Sequence, residues 1–231
     1  MQELFVLVAK NSEENSLEVC GCVTRYAAHM FGFPHTSVLL VPVTWDSNLK
    51  EPVILMHKRS PYKRTSPNTW DFCGGHLTFD EKYFSGKPWN SLYDLEYATD
   101  EAAVREANEE LRCTPPFEFL RQHVRRFQSV GYFECWIKTL QGENREFSTA
   151  YVVIVPENTE IAVWDTDKEG ERKLEVRRFT LSELFDFFER ERYSFADGAG
   201  RILLRLSKAP KLRSDFEQVL QDVTQSRSRK I

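Results

Sequence analysis

The chain has 231 residues, of which 41% are hydrophobic and 13% aromatic, enough to bury the core of one domain with extensions or of two small ones. A net charge of −4 removes the electrostatic case for nucleic acid as the main partner, and no stretch approaches the roughly twenty apolar residues of a membrane helix. Five scattered cysteines and a start without a basic run ahead of an apolar one fit reduced thiols in a soluble cytoplasmic protein.

In chain order, residues 3–9 form a short apolar run that reads as a strand, and 11–16 a polar turn. Residues 17–23 predict a second strand and 24–30 a short helix closed by Gly32 and Pro34, so that 1–35 make an N-terminal extension packed on the core. Residues 37–44 are rich in Val and Leu and predict a buried strand, with another at 53–58. A basic, proline-containing loop follows at 59–68, carrying Arg59, Lys63 and Arg64.

The next segment, Trp70-Asp71-Phe72-Cys73-Gly74-Gly75-His76, contains a glycine pair whose backbone can turn sharply and approach a ligand closely. Further on, 102–111 read as a helix that sorts its chemistry by face. Glu106, Glu109 and Glu110 share one side, while Val104, Ala107 and Leu111 form a core stripe on the other. Three like charges on one short face repel unless a cation sits among them, and oxygen-only ligands suit a hard ion such as Mg²⁺. Arg105, four residues before Glu109, can reach that carboxylate. Thr99 is the candidate N-cap, Asp100 and Glu101 occupy the first turn, and Pro115-Pro116 stop the helix.

A Gly-Gly turn followed by Arg-Glu-x-x-Glu-Glu resembles the Nudix box of the Nudix hydrolase family. Gly75 matches its opening glycine, and Arg105, Glu106, Ala107, Glu109, Glu110 and Cys113 match or nearly match its second half. Gly75 and Arg105 stand thirty positions apart where the box has fourteen, which implies an insertion at about 78–93. The box glutamate ahead of the arginine is here Tyr97, with Glu96 beside it and Asp94 near, and the late glycine is Arg112. The insertion and the residues after it hold Phe79, Tyr83, Phe84, Trp89, Tyr93 and Tyr97, either a lid that stacks a base or a hydrophobic satellite.

Beyond the box, 117–126 and 129–140 read as strands, 141–144 as a turn, 150–155 as a β-branched strand and 176–179 as a short edge strand. Residues 181–192 predict an amphipathic helix with Leu184, Phe185 and Phe188 inward. Helices follow at 199–206 and 215–223, the latter with Phe216, Val219, Leu220 and Val223 at helical spacing, then a basic tail at 226–230. This order suggests a core domain at 36–207, with 208–231 as a C-terminal helix and tail, and a mixed sheet covered on both faces.

The resemblance implies an α/β fold, an α/β/α sandwich with a mixed sheet and the box as loop-helix-loop. It implies metal-dependent hydrolysis of a diphosphate linkage in a nucleoside diphosphate derivative or related small molecule. Mg²⁺, or Mn²⁺ in its place, would be held by Glu106, Glu109 and Glu110, with Glu106 and Glu109 catalytic and Arg105 orienting. Gly74, Gly75, His76, Arg59 and Arg64 are the candidate substrate-binding residues, and the general base stays open among Glu106, Glu134, Glu143 and Glu146. The expected partner is a phosphoanhydride, with neither nucleic acid nor membrane; a homodimer is left open. Two alternatives stand beside the hydrolase. Cys73 before Gly74-Gly75-His76 is similar to the catalytic cysteine beside a Gly-His pair in isopentenyl-diphosphate isomerase, and the altered box also fits a non-catalytic nucleotide-binding module.

Overall fold

The computed structural model describes residues 3–11, 16–79, 92–139, 142–157, 159–167 and 170–228. Most of the expected insertion, with Tyr83, Phe84 and Trp89, lies outside the described residues, as do the turn at 12–15 and the end of the basic tail. The chain opens with a hairpin, β1 (Leu4–Asn11) and β2 (Ser16–Thr24), and helix α1 (Arg25–Phe31). Thr24 caps α1 by accepting from the Ala27 N–H at 3.2 Å, and Gly32, at φ 66°, ends it in the left-handed conformation that glycine tolerates.

Strand β3 (His35–Asp46) is the hub of a ten-stranded mixed sheet. It pairs antiparallel with β4 (Glu51–Lys58) and, at its other end, with β6 (Cys73–His76); β5 (Trp70–Asp71) adds to β4. Helix α2 (Leu92–Glu110) then leads into β7 (Leu111–Thr114), after which β8 (Val124–Arg126) and β9 (Tyr132–Thr139) precede β10 (Gly142–Ile154). Strand β10 runs parallel to β3 from Glu146 opposite His35 to Ile154 opposite Val43, and β8 and β9 pair with it. Strands β11 (Glu160–Asp167) and β12 (Gly170–Lys173) join β7 in a smaller sheet, while β13 (Val176–Phe179) lies against β4 at an edge of the main one. The chain closes with helices α3 (Leu181–Arg190), α4 (Asp197–Lys208) and α5 (Pro210–Ser228).

The pleat divides the core in two. Val38 and Leu40 of β3, with Tyr151 and Val153 of β10, face Leu95, Ala98, Ala102, Ala103 and Ala107 of α2. Leu39, Val41 and Val43, with Ala150 and Val152, face the aromatic and aliphatic stripe of α3, α4 and α5, including Phe188, Leu203 and Phe216. The fold is therefore an α/β sandwich with a mixed sheet covered on both faces. Alanines along α2 let its axis come close to the strands, whereas the other face is filled by large side chains, each fully buried Leu or Phe contributing about 1.5–3 kcal/mol. No helix among the described residues is long and apolar enough to cross a membrane.

Several local expectations are corrected. The box helix starts at Leu92, not at residue 100, so Thr99 lies within it and donates its hydroxyl to the Leu95 carbonyl instead of capping. Asp100 is not in the first turn of the helix. It is buried, where Tyr151, Arg121 and Arg126 all donate to its carboxylate. The helix ends before Pro115 because Leu111 to Thr114 pair with β11. Residues 117–126 are not one strand: the Asn108 side chain takes over the backbone bonds of Phe119, accepting from its N–H at 2.8 Å and donating to its carbonyl at 2.9 Å. Residues 142–144 belong to β10, which pairs with β9 back to Gly142 opposite Thr139.

Candidate functional site

Strand β6 and helix α2 bring the two halves of the interrupted motif together. Gly75 of β6 lies opposite Val38 and faces α2, so near to it that an added Cβ would stand 2.2 Å from the Glu106 carboxylate. Gly74 has the complementary constraint, since its Cβ would fall 2.2 Å from the Val38 carbonyl oxygen. The glycine pair is thus what lets a glutamate-bearing helix lie directly on the sheet.

Polar contacts tie the helix to the strand and Arg105 to its own helix. The Gly74 N–H donates to Glu110 Oε2 at 2.9 Å. Arg105 Nη2 donates to the His76 carbonyl at 3.2 Å and stands 2.7 Å from Glu106 Oε1, and its Nη1 donates to Glu109 Oε2 at 3.0 Å. Arg105 is therefore a clamp between two carboxylates and the strand. Glu106 is buried, Glu110 half-buried and Glu109 exposed. Burial raises the Glu106 carboxyl, with Arg105 opposing the shift and Glu109 adding to it. The oxygens of Glu106, Glu109 and Glu110 are the donors an ion of the Mg²⁺ type takes, but the three carboxylates are not gathered into one ligand cluster, since Arg105 contacts both Glu106 and Glu109.

The other candidates are dispersed. Arg59 Nη1 donates to Asp71 Oδ2 at 2.7 Å and Nη2 to the Thr65 carbonyl at 3.1 Å, fastening its own loop. Arg64 lines a shallow pocket with Tyr26, His29, Thr65, Glu143 and Asn144, away from the glutamates of α2. Glu96, ten residues and roughly 15 Å along the helix from Glu106, pairs with Arg126 at 3.2 Å. Among the other carboxylates weighed as a base, Glu134 pairs with Arg145 at 2.6 Å and Glu143 accepts from Trp136 Nε1 at 3.3 Å. Cys73 is buried with its Sγ 3.8 Å from His57 Nδ1; burial first, then the Glu110 carboxylate, push the thiol well up. A neutral, enclosed thiol matches a packing role more closely than a nucleophilic one.

His76 turns away from this group. It pairs with Ser37, and Glu146 pairs with His35, which puts all three on the face of the sheet opposite α2. The Ser37 and Ser148 hydroxyls, 2.7 Å apart on that face, mark the same register. There the ligand atoms of His29, His35, His76 and Glu146 lie within 4.8 Å of one another. His76 Nε2 is 3.3 Å from Glu146 Oε1, and the Phe5 ring stacks on His76 and His35 at centroid separations of 4.2 and 5.1 Å. Burial lowers His29 to about 3 and His35 to about 4, while His76 holds the Glu146 carboxyl far below the usual range against the opposing effect of burial. Sequence reasoning singled out His76 and Glu146 separately but missed His29 and His35. The one signal available was a pair of histidines, His29 in the predicted helix at 24–30 and His35 in the connection after it.

No protein-family model and no curated protein matches the chain. Among solved structures it is similar to a Nudix hydrolase from Alicyclobacillus acidocaldarius, with TM-score 0.48, 13% identity and coverage of 76% of this chain and 91% of that one. It is also similar to the Nudix hydrolase RenU from M. smegmatis, with TM-score 0.44, 13% identity and coverage of 90% and 94%. A C. elegans Ap4A hydrolase in a binary complex is similar at TM-score 0.40 and 14% identity, with coverage of 75% and 95%.

Proposed function

We propose that the chain is a Nudix-type pyrophosphohydrolase that cleaves a diphosphate linkage in a nucleoside diphosphate derivative or related small molecule. The observation that carries this reading is the seating of Glu106 on Gly75 and of Glu110 on Gly74, with Arg105 linking Glu106 and Glu109 to the same strand, two motif halves thirty positions apart in sequence. Glu109 and Glu110 are the principal ligands for Mg²⁺ or Mn²⁺, with Glu106 as ligand or base. The ion would neutralise phosphoryl charge and stabilise the leaving oxygen. Water adds to one phosphorus, the P–O–P bridge breaks, and two phosphorylated products leave. Glu106, the buried member of the triad, takes the proton of that water more readily than an exposed carboxylate would. Arg105 acts as a positioning residue, paired with Glu106 and Glu109 and fixing α2 to the His76 carbonyl.

The test is phosphate release, read through a coupled phosphatase that acts on the monoester products, from a panel of nucleoside diphosphate derivatives and prenyl diphosphates, with Mg²⁺, Mn²⁺ or EDTA. Metal-dependent turnover of one nucleoside class supports the reading. Silence across the panel, with ligand-induced thermal shifts retained, favours a binding module, and reaction of prenyl diphosphates without phosphate release favours the isomerase-like enzyme.

A further inference from the structure

We propose that His29, His35, His76 and Glu146 form a second metal site, a closed four-ligand centre for a borderline transition-metal dication, Zn²⁺ above all. It lies on the face of the sheet opposite the glutamates of α2 and does not depend on their function.

The four ligands come from four elements: His29 from α1, His35 from the start of β3, His76 from the end of β6 and Glu146 from β10. Nothing local in the chain would bring them together, yet their ligand atoms fall within 4.8 Å of one another. In a tetrahedral site with bonds of about 2.0–2.1 Å the ligand atoms stand roughly 3.4 Å apart, so closure asks each side chain to move on the order of an ångström.

Two of the imidazoles lack what a buried imidazole needs. His35 is fully buried; its Nδ1 lies 2.8 Å from the Phe33 carbonyl and must carry the proton to bond there. That contact leaves Nε2 as a bare lone pair, and Nε2 has no hydrogen-bond partner. His29 Nε2 is likewise buried and unpartnered. Leaving such atoms unsatisfied is costly, and native proteins do so for a reason. A carbonyl on one ring nitrogen with the other nitrogen facing in is the arrangement that orients a histidine for a metal. Asn144 donates to Glu146 and would hold the fourth ligand in the same way.

The donor set decides the ion. Three imidazoles and one carboxylate suit Zn²⁺ and its transition-metal neighbours, whereas Mg²⁺ prefers oxygen alone. Phe5, fully buried and stacked on two of the rings, shields the centre, and four protein ligands fill a tetrahedral shell. Both features belong to a structural site, which here would pin α1 to β3, β6 and β10.

The experiment uses the full chain. After treatment with chelator and its removal, Zn²⁺ is titrated calorimetrically in the presence of excess Mg²⁺, and the metal content of untreated protein is measured by mass spectrometry. The expected result is one Zn²⁺ per chain, unaffected by Mg²⁺, with a raised melting temperature. His29→Gln, on the short α1, and His35→Gln should each weaken binding by roughly tenfold to a hundredfold or more. The paired change Glu109→Gln and Glu110→Gln should leave it unchanged. Absence of Zn²⁺ uptake by the unaltered protein overturns the proposal whatever the variants do. Uptake lost in the glutamate variant and kept in both histidine variants also overturns it, by sending the metal to α2.

Discussion

The two faces of β6 carry opposite solutions to placing ionisable groups beside a sheet. On the α2 face, Gly75 clears space for carboxylates that remain partly wet and are balanced by one guanidinium. On the other, His76 joins two buried imidazoles and a carboxylate under the Phe5 ring. The first group comes mostly from one helix, where spacing of three and four sets its geometry. The second is assembled by strand register together with the short helix α1. Local chemistry can be tuned by single substitutions on α2, whereas the imidazole group stands or falls with the sheet.

The largest effect expected on the acidic face is on turnover. Glu109→Gln with Glu110→Gln should lower phosphate release by about 10²- to 10³-fold. The melting temperature should stay near that of the unaltered chain, because a glutamine oxygen can still accept from Gly74. Unchanged turnover would remove α2 from the chemistry.

The glycines separate shape from charge. In Gly74→Ala the new methyl meets the Val38 backbone, and overpacking of about 1–3 kcal/mol should lower the melting temperature by about 3–10 °C. In Gly75→Ala it meets only the end of the Glu106 side chain, which can swing away. That variant should melt closer to the original while losing turnover. The reverse order in a thermal melt would show that Glu106, not Val38, is the rigid partner.

Acid sensitivity gives a smaller effect. His57 is buried and held neutral down to about 3, by burial first and then by Arg59 and Lys63. In the unfolded chain it protonates near 6.5, so its contribution is complete above that pH and lost as pH falls toward about 3. Between pH 6.5 and 5 the loss should be about 2 kcal/mol. Urea unfolding at the two pH values should show a shallower decline for His57→Gln, and an identical decline would contradict a neutral His57. The smallest change is expected from Cys73→Ala, about 1 kcal/mol of stability with turnover kept. Loss of activity without loss of fold would revive the isomerase-like reading.

The sandwich and the acidic half of the site were legible because both rest on short-range pattern. Apolar runs announce β3 and β4, and the glutamates recur at helical spacing. Thr99, Asp100 and Glu101 imitate a helix start, but Tyr151 and Arg126 draw Asp100 inward in the middle of α2. The opening of β10 reads as a turn because it is polar, and only pairing with β9 makes it strand. The β11–β12 hairpin gives little pattern to read, because its apolar run, Ile161 to Trp164, is short and β12 is almost wholly charged. The imidazole group was out of reach for the same kind of reason: no local rule places Glu146 opposite His35.

The parallel pairing of β3 with β10 has a consequence for how the chain is made. Its partners lie more than a hundred positions apart, so the hub strand leaves the ribosome long before the strand that completes it. Until β10 arrives, one flank of β3 is an unpaired apolar edge, open to pairing with another nascent chain. Products truncated before residue 142 should therefore aggregate even though they retain every glutamate of α2. The cell would have to guard this polypeptide during synthesis, whatever reaction it later performs.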